Sequence, residues 1–175
     1  MSRLKSLLLV ALLLPATTLA GPLAEPVVAL LDGYERAPTP EDFRALGEGA
    51  QAELLEIAAD ADAPTTRRGR ALTALAFYPN TETRAVLDAT LADAESKSLL
   101  RRKAAYAVGV GFGADAIPAL TAALGDADPQ LRMAAASALG AVGTDAAKAA
   151  LSARRDLETE DAVRTVLNTF LEAGE

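Results

Sequence analysis

The side chains of this 175-residue chain that could do chemistry are carboxylates and guanidinium groups, because the chain has no histidine and no cysteine. Histidine is the most frequent general base and metal ligand, and cysteine supplies thiolates and disulfides. Two dense carboxylate groups remain for acid-base work: Glu53 with Glu56, and Glu158 with Glu160 and Asp161. We expect both groups on exposed helix faces, where charges usually serve solvation. The sequence therefore predicts a protein that is not an enzyme, with no metal site and no cofactor.

Four arginines recur at a spacing of 31 to 33 residues, namely Arg68, Arg101, Arg132 and Arg164. Equivalent basic positions can form a ladder for an anionic ligand, or they can pair with acids and carbonyl groups between the layers of a repeat protein. We interpret these arginines as a structural ladder. The nearby acids that we expect as partners are Asp62, Asp128 and Glu160.

Two further patterns imitate ligand sites. The stretch 109–113 reads GVGFG, but no predicted strand precedes it and no Gly-Lys-Ser/Thr ending follows it. We therefore interpret it as a tight turn between helices rather than a phosphate loop. The pairs Asp60/Asp62 and Asp126/Asp128 lack the further carboxylates of a calcium loop. We interpret these pairs as helix caps.

The elements that position these residues follow from the same period. A repeat of this size indicates a stack of helix pairs, because each unit is too thin to bury its own apolar face. Most inward residues of the leading helices are small, so that helix axes can approach closely. In the unit at Arg132 the inward residues are Ala135 and Ala138, followed by the larger Leu139. We predict three helix pairs, followed by a final helix at 158–172. The pairs span 64–92, 97–124 and 128–155.

The N-terminal segment 1–20 is predicted to be a signal peptide. Arg3 and Lys5 precede an uncharged apolar run, and the small residues Thr18 and Ala20 lie where a signal peptidase reads the chain. We expect cleavage near Ala20 and a periplasmic or secreted protein, with retention as a membrane anchor as the alternative.

Two further regions follow the signal segment. We predict an irregular N-terminal helical cap at 21–63 and repeats with a C-terminal capping helix at 64–175. The cap is predicted to contain a helix over 23–36 that includes Tyr34, a short helix from Thr39 or Pro40, and a helix over 50–59. An irregular first unit is expected at the end of a repeat array, because it must present one face to water.

The unit that begins at Arg132 resembles a HEAT repeat of the bacterial type found in phycobilisome-lyase-like proteins, whose pattern is R-x-x-A-A-x-A-L-G-x-I/V-G-x-x-x-A. The matching residues are Arg132, Ala135, Ala136, Ala138, Leu139, Gly140, Val142, Gly143 and Ala147. The units at Arg101, Arg68 and Arg164 keep progressively less of the pattern. The resemblance implies an all-α fold, a right-handed α-α superhelix (HEAT-like solenoid) of about four to five helical hairpins. Such repeats serve many kinds of partner.

Net charge narrows the choice of partner. The chain has 24 acidic and 17 basic residues and a formal charge of −7. This balance disfavours nucleic acid, which is bound through Lys and Arg, and it disfavours an anionic membrane surface. We expect no stable membrane insertion after removal of the signal. The leading hypothesis is a non-catalytic scaffold that binds another protein in the cell envelope or outside the cell.

We place the protein-binding surface on the second helices of the units, where polar side chains interrupt the apolar spacing. These side chains are Arg84, Asp88, Thr121, Lys148 and Arg155. A small-molecule or tetrapyrrole carrier and a lyase-like enzyme remain open as alternatives on the same fold, as does a structural spacer. The resemblance also implies that a dimetal hydroxylase of this fold would need His-Glu ligand pairs, which a histidine-free chain cannot form.

Overall fold

The computed structural model describes residues 24–33 and 36–172, and every regular element within these ranges is helical. The α-helices are α1 (Ala24–Asp32), α2 (Pro40–Ala45), α3 (Ala50–Ala59), α4 (Thr65–Leu75), α5 (Thr81–Ala92), α6 (Ser98–Phe112), α7 (Ile117–Ala123), α8 (Pro129–Val142), α9 (Asp145–Arg155) and α10 (Asp161–Glu172). A 3-10 turn at Gly113–Ala116 joins α6 to α7. The predicted signal segment 1–20 and Tyr34 of the predicted first helix lie outside the described residues.

The first helices of successive units, α4, α6, α8 and α10, stack directly against one another. The second helices α5, α7 and α9 each pack on the first helix of the following unit and make few contacts with one another. The close stacking follows from small inward residues, since Ala104, Ala107 and Ala135 are fully buried. The outer surface of α4, α6 and α8 bears Arg70 and Tyr106. We call this surface the first-helix face.

Glycines mark close approaches within the stack. A Cβ atom at Gly109 would lie 3.0 Å from the Cβ of Ala138, and one at Gly111 would lie 3.1 Å from the carbonyl oxygen of Ala76. The prediction of a tight turn over 109–113 is therefore wrong for its first four residues, which continue α6. Only Gly113, with a φ of +52°, lies where the helix ends.

One helical stretch, Ser98–Ala123, has the length and apolar composition of a membrane-crossing segment. The 3-10 turn interrupts it, and α6 packs between α4 and α8. Arg101 near its start is buried and forms an ion pair with Asp126. These contacts are typical of the central helix of a packed stack.

Candidate binding groove

Each junction between units carries an acid that accepts a hydrogen bond from the backbone N–H two residues later, at 2.9 to 3.0 Å. These acids are Asp60, Asp93, Asp126 and Glu158. They recur at 32 to 33 residues, which is the period of the arginines. The acid that follows in the third junction, Asp128, caps α8 by accepting from the N–H of Gln130, as its predicted role requires.

The recurring arginines donate to oxygen atoms at these junctions. Arg68 Nε donates to the carbonyl oxygen of Ala58, and Arg101 Nε donates to that of Leu91, both at 3.1 Å. The two other nitrogens of the Arg101 guanidinium bind the carboxylate of Asp126 at 3.2 and 2.5 Å. The side chain of Arg101 thus connects two successive junctions.

Glu158 is the most extensively bound acid among the described residues. It accepts two hydrogen bonds from Arg132 at 2.9 Å, two from Arg154 at 3.0 and 2.7 Å, and two from the backbone N–H groups that follow it. The hydrogen bonds from Arg132 are the largest cause of a Glu158 pKa lowered from 4.5 to about 2. Arg164 donates to the Glu158 carbonyl oxygen at 2.7 Å. Glu158 therefore belongs to the packing between layers, and α10 begins only at Asp161.

These contacts correct two expectations about the acids. Asp126, Glu158 and Asp161, rather than Asp62, Asp128 and Glu160, provide the carboxylates bound by the ladder arginines Arg101, Arg132 and Arg164. Glu53 and Glu158 are buried rather than exposed, with 7% and 4% of their surfaces accessible. Among the described residues, no group of three or more acidic side chains is arranged to hold a metal ion.

The second-helix residues Arg84 and Asp88 are engaged within the chain. They form an ion pair at 2.6 Å, Arg84 donates to the carbonyl oxygen of Asp115 at 3.1 Å, and its guanidinium lies 5.1 Å from the ring centroid of Phe112. These contacts join α5 to the end of α6 and to the turn after it. Both side chains thus have a role in packing whether or not they also bind a partner.

The other predicted binding residues lie on α7 and α9. Thr121 is exposed, whereas Lys148 and Arg155 are partly exposed. Arg155 pairs with the adjacent Asp156 at 3.0 Å. Since α7 and α9 make few mutual contacts, these residues are presented on separate ridges.

A groove lies between α6 and α8 on the first-helix face and has a volume of about 330 Å³. We call it the α6–α8 groove, and its lining residues are Leu99, Arg102, Lys103, Tyr106, Gln130, Met133, Ala134 and Ser137. Tyr106 is 51% exposed, and Met133 packs partly on the core. The groove therefore places an aromatic ring and a thioether beside two cations.

A second cavity of about 350 Å³ adjoins the groove between the N-terminal helices and α4. We call it the cap cavity, and its lining residues are Leu31, Gly33, Arg36, Ala37, Pro38, Phe43, Arg70, Thr73, Ala74, Phe77 and Lys103. The rings of Phe43 and Phe77 contribute apolar surface, with centroids 5.9 Å apart. Lys103 lines both cavities, so that they meet at this side chain.

Two of the cations in the cap cavity already have partners. Arg36 forms a bidentate pair with Asp42 at 2.6 and 2.7 Å, which raises the pKa of Arg36 and lowers that of Asp42. Arg70 donates to the carbonyl oxygen of Leu31 at 2.5 Å. The Arg36 pair therefore lies within the N-terminal unit, whereas Arg70 joins that unit to α4.

The cations of α6 are less fully satisfied. Arg102 donates one hydrogen bond, at 3.2 Å, to the side-chain oxygen of Gln130, and its Nε is buried without a partner. Lys103 makes no hydrogen bond or ion pair within the described part of the chain. The sequence prediction did not include this site, although a tyrosine three residues after a run of three basic residues in an alanine-rich helix was a visible signal.

Comparison with known proteins identifies the repeats. Residues 95–171 match the family model of HEAT repeats. Among solved structures, human deoxyhypusine hydroxylase in complex with glycerol is 31% identical with a TM-score of 0.59, and the match covers 71% of this chain and 43% of the hydroxylase. The complex of CpcE and CpcF of phycocyanin lyase from Nostoc is 20% identical with a TM-score of 0.63, and the match covers 85% of this chain and 97% of that one. No curated protein matches.

These similarities confirm the predicted fold class, a right-handed, HEAT-like α-α superhelix. They contradict the prediction that the protein is not an enzyme, because both structures belong to enzymes, a hydroxylase and a lyase. The absence of histidine and cysteine removes particular catalytic groups, but it does not remove catalysis from a fold that supports it. The chain spans less than half the length of the hydroxylase that it matches.

Proposed function

We propose that this chain binds another protein through the α6–α8 groove and the adjoining cap cavity. The observation that carries the proposal is the meeting of two partly apolar cavities at Lys103, beside the half-exposed ring of Tyr106. Tyrosine and methionine are enriched in protein interfaces, and stacked repeats offer extended surfaces to partners. The similarity to the complex of CpcE and CpcF supports an interaction between proteins on this fold.

The second-helix residues remain an alternative binding surface. The substitution Tyr106→Ala distinguishes binding through the groove from binding through the second helices. Tagged full-length chain should capture a cross-linked partner from its source cells, and Tyr106→Ala should reduce the yield about fivefold or more, because aromatic anchors dominate interface energies. Thr121→Ala, an exposed change on the second-helix side, should leave the yield unchanged. If only Thr121→Ala reduced the yield of captured partner, the interface would lie on the second helices.

We also propose that binding takes place in the periplasm or outside the cell. The support is the sequence of 1–20, with its basic start, apolar run and small residues before Gly21. N-terminal sequencing of protein purified from the envelope fraction should give Gly21 as the first residue. A chain that keeps Met1 and is found in the cytoplasm would contradict export.

A second candidate function is the binding of a small molecule in the cap cavity, as a carrier or as a lyase-like enzyme. The observation that favours it is a cavity of about 350 Å³ with apolar walls and the cationic side chains of Arg36, Arg70 and Lys103. The similarity to phycocyanin lyase makes tetrapyrroles the first compounds to test. A ligand of the native state should raise the Tm with increasing concentration. An unchanged Tm with tetrapyrroles, together with capture that depends on Tyr106, would favour protein binding.

A further inference from the structure

The sign of charge in the two cavities is opposite to that of the whole chain. The protein has 24 acids, 17 bases and a formal charge of −7. Among the described residues, by contrast, those that line the cavities include four basic side chains and no aspartate or glutamate. The junction acids, by contrast, are occupied by backbone N–H groups and ladder arginines. A concave surface lined by one sign of charge attracts ligands of the other sign.

Three consecutive basic residues of α6 have different environments: one lies in the core and two line the groove. Arg101 points inward and is satisfied by Asp126 and the carbonyl oxygen of Leu91. Arg102 and Lys103 line the groove, where a buried Nε and an ammonium group lack carboxylate partners. The Lys103 ammonium group and the terminal nitrogens of Arg102, which make one hydrogen bond to Gln130, are the donors that acceptor oxygens of a ligand would engage. Two adjacent cations suit the two oxygens of a carboxylate.

The surface beside these cations is apolar. Tyr106 and Met133 face the same groove, so a ligand that places a carboxylate at Lys103 also contacts a ring and a thioether. Nucleic acid does not fit this arrangement, since its affinity comes from many cations along a phosphate backbone, and the rest of the chain is strongly acidic. An acidic side chain next to an apolar one on a polypeptide provides both features.

We infer that the groove binds an acidic segment of the partner protein, with a glutamate or aspartate at Arg102 and Lys103 and a neighbouring apolar side chain on Tyr106 and Met133. This inference rests on the proposed function and specifies the chemistry of the partner. Charge complementarity of this kind sets specificity and association rate. The interaction should therefore weaken as salt concentration rises.

Three fluorescein-labelled twelve-residue peptides with identical leucine positions test the inference. Their remaining positions carry glutamate, glutamine or lysine. Fluorescence anisotropy with the full chain should show the glutamate peptide binding about tenfold more tightly than the glutamine peptide, and the lysine peptide not binding. Lys103→Glu should weaken binding of the glutamate peptide about tenfold or more. Lys148→Glu, the same change on a second helix, should leave it unchanged.

Three results would overturn the inference. Equal affinity for the glutamate and glutamine peptides would show that charge does not select the ligand. An equal loss in Lys103→Glu and Lys148→Glu would show that the effect does not depend on the groove. Lys103-dependent binding of phosphatidylglycerol vesicles, with no binding of the glutamate peptide, would assign the groove to a lipid surface. If partner capture still depends on Tyr106 in any of these cases, the proposed function stands without its acidic partner.

Discussion

Glu158→Gln is expected to destabilise the fold by about 3 to 5 kcal/mol at pH 7, the usual cost of removing one partner from a buried ion pair. The substitution keeps the size of the side chain but removes the charge that compensates Arg132, which is only 8% exposed. It also weakens the acceptor for Arg154 and for the two backbone N–H groups that precede α10. Urea denaturation followed by circular dichroism measures the change in the free energy of unfolding. Glu160→Gln, an exposed change two residues later, should alter it by less than about 0.5 kcal/mol.

The difference between wild type and Glu158→Gln should also depend on pH. The pKa of Glu158 in the folded state, about 2, lies below its ordinary value of 4.5. Its ionised form therefore stabilises the fold fully above the unfolded-state pKa, and this contribution is lost as pH falls toward the folded-state pKa. The two proteins should differ most at pH 6 to 7 and converge between about pH 5 and pH 2. A difference that stays constant or grows as pH falls through this range would contradict the role assigned to the ion pair.

Leu139→Ala should destabilise the protein by about 2 to 5 kcal/mol. Leu139 is fully buried in α8, and the alanines around it, such as Ala135 and Ala136, offer little side chain to fill the space that the substitution creates. The same urea experiment measures the effect. Leu157→Ala removes the same atoms from a side chain that is 73% exposed and should cost less than about 0.5 kcal/mol. Equal stability of the two variants would show that Leu139 does not lie between the layers.

The sequence predicted the repeats well, because their signal is local and periodic. The second helix of the first full unit was expected to end at Ala92, and α5 ends there; the helix predicted over 50–59 is α3. Leu139 was assigned to the inward face from its spacing alone, and it is fully buried. Each of these features depends on side chains three or four residues apart on one helix, which a single unit already contains.

The ion pairs and the groove were harder to predict, because they join residues that lie far apart in the chain. Arg132 and Glu158 are separated by 26 residues and meet only after two helices have stacked. The functions of Arg101, Arg102 and Lys103 cannot be told apart by residue type, since the rotation of α6 alone decides which of them faces the core. The groove itself requires α8 beside α6, so that Met133 comes to lie near Tyr106.

Site-specific photo-cross-linking tests most directly whether a partner binds in the α6–α8 groove. A benzophenone amino acid would replace Tyr106 in one variant and Thr121 in a second, and each protein would be irradiated in its source cells. We predict one discrete cross-linked protein for the Tyr106 variant, lost when Lys103→Glu is added, and none for the Thr121 variant. A discrete adduct at position 121 with none at position 106 would contradict binding through the first-helix face.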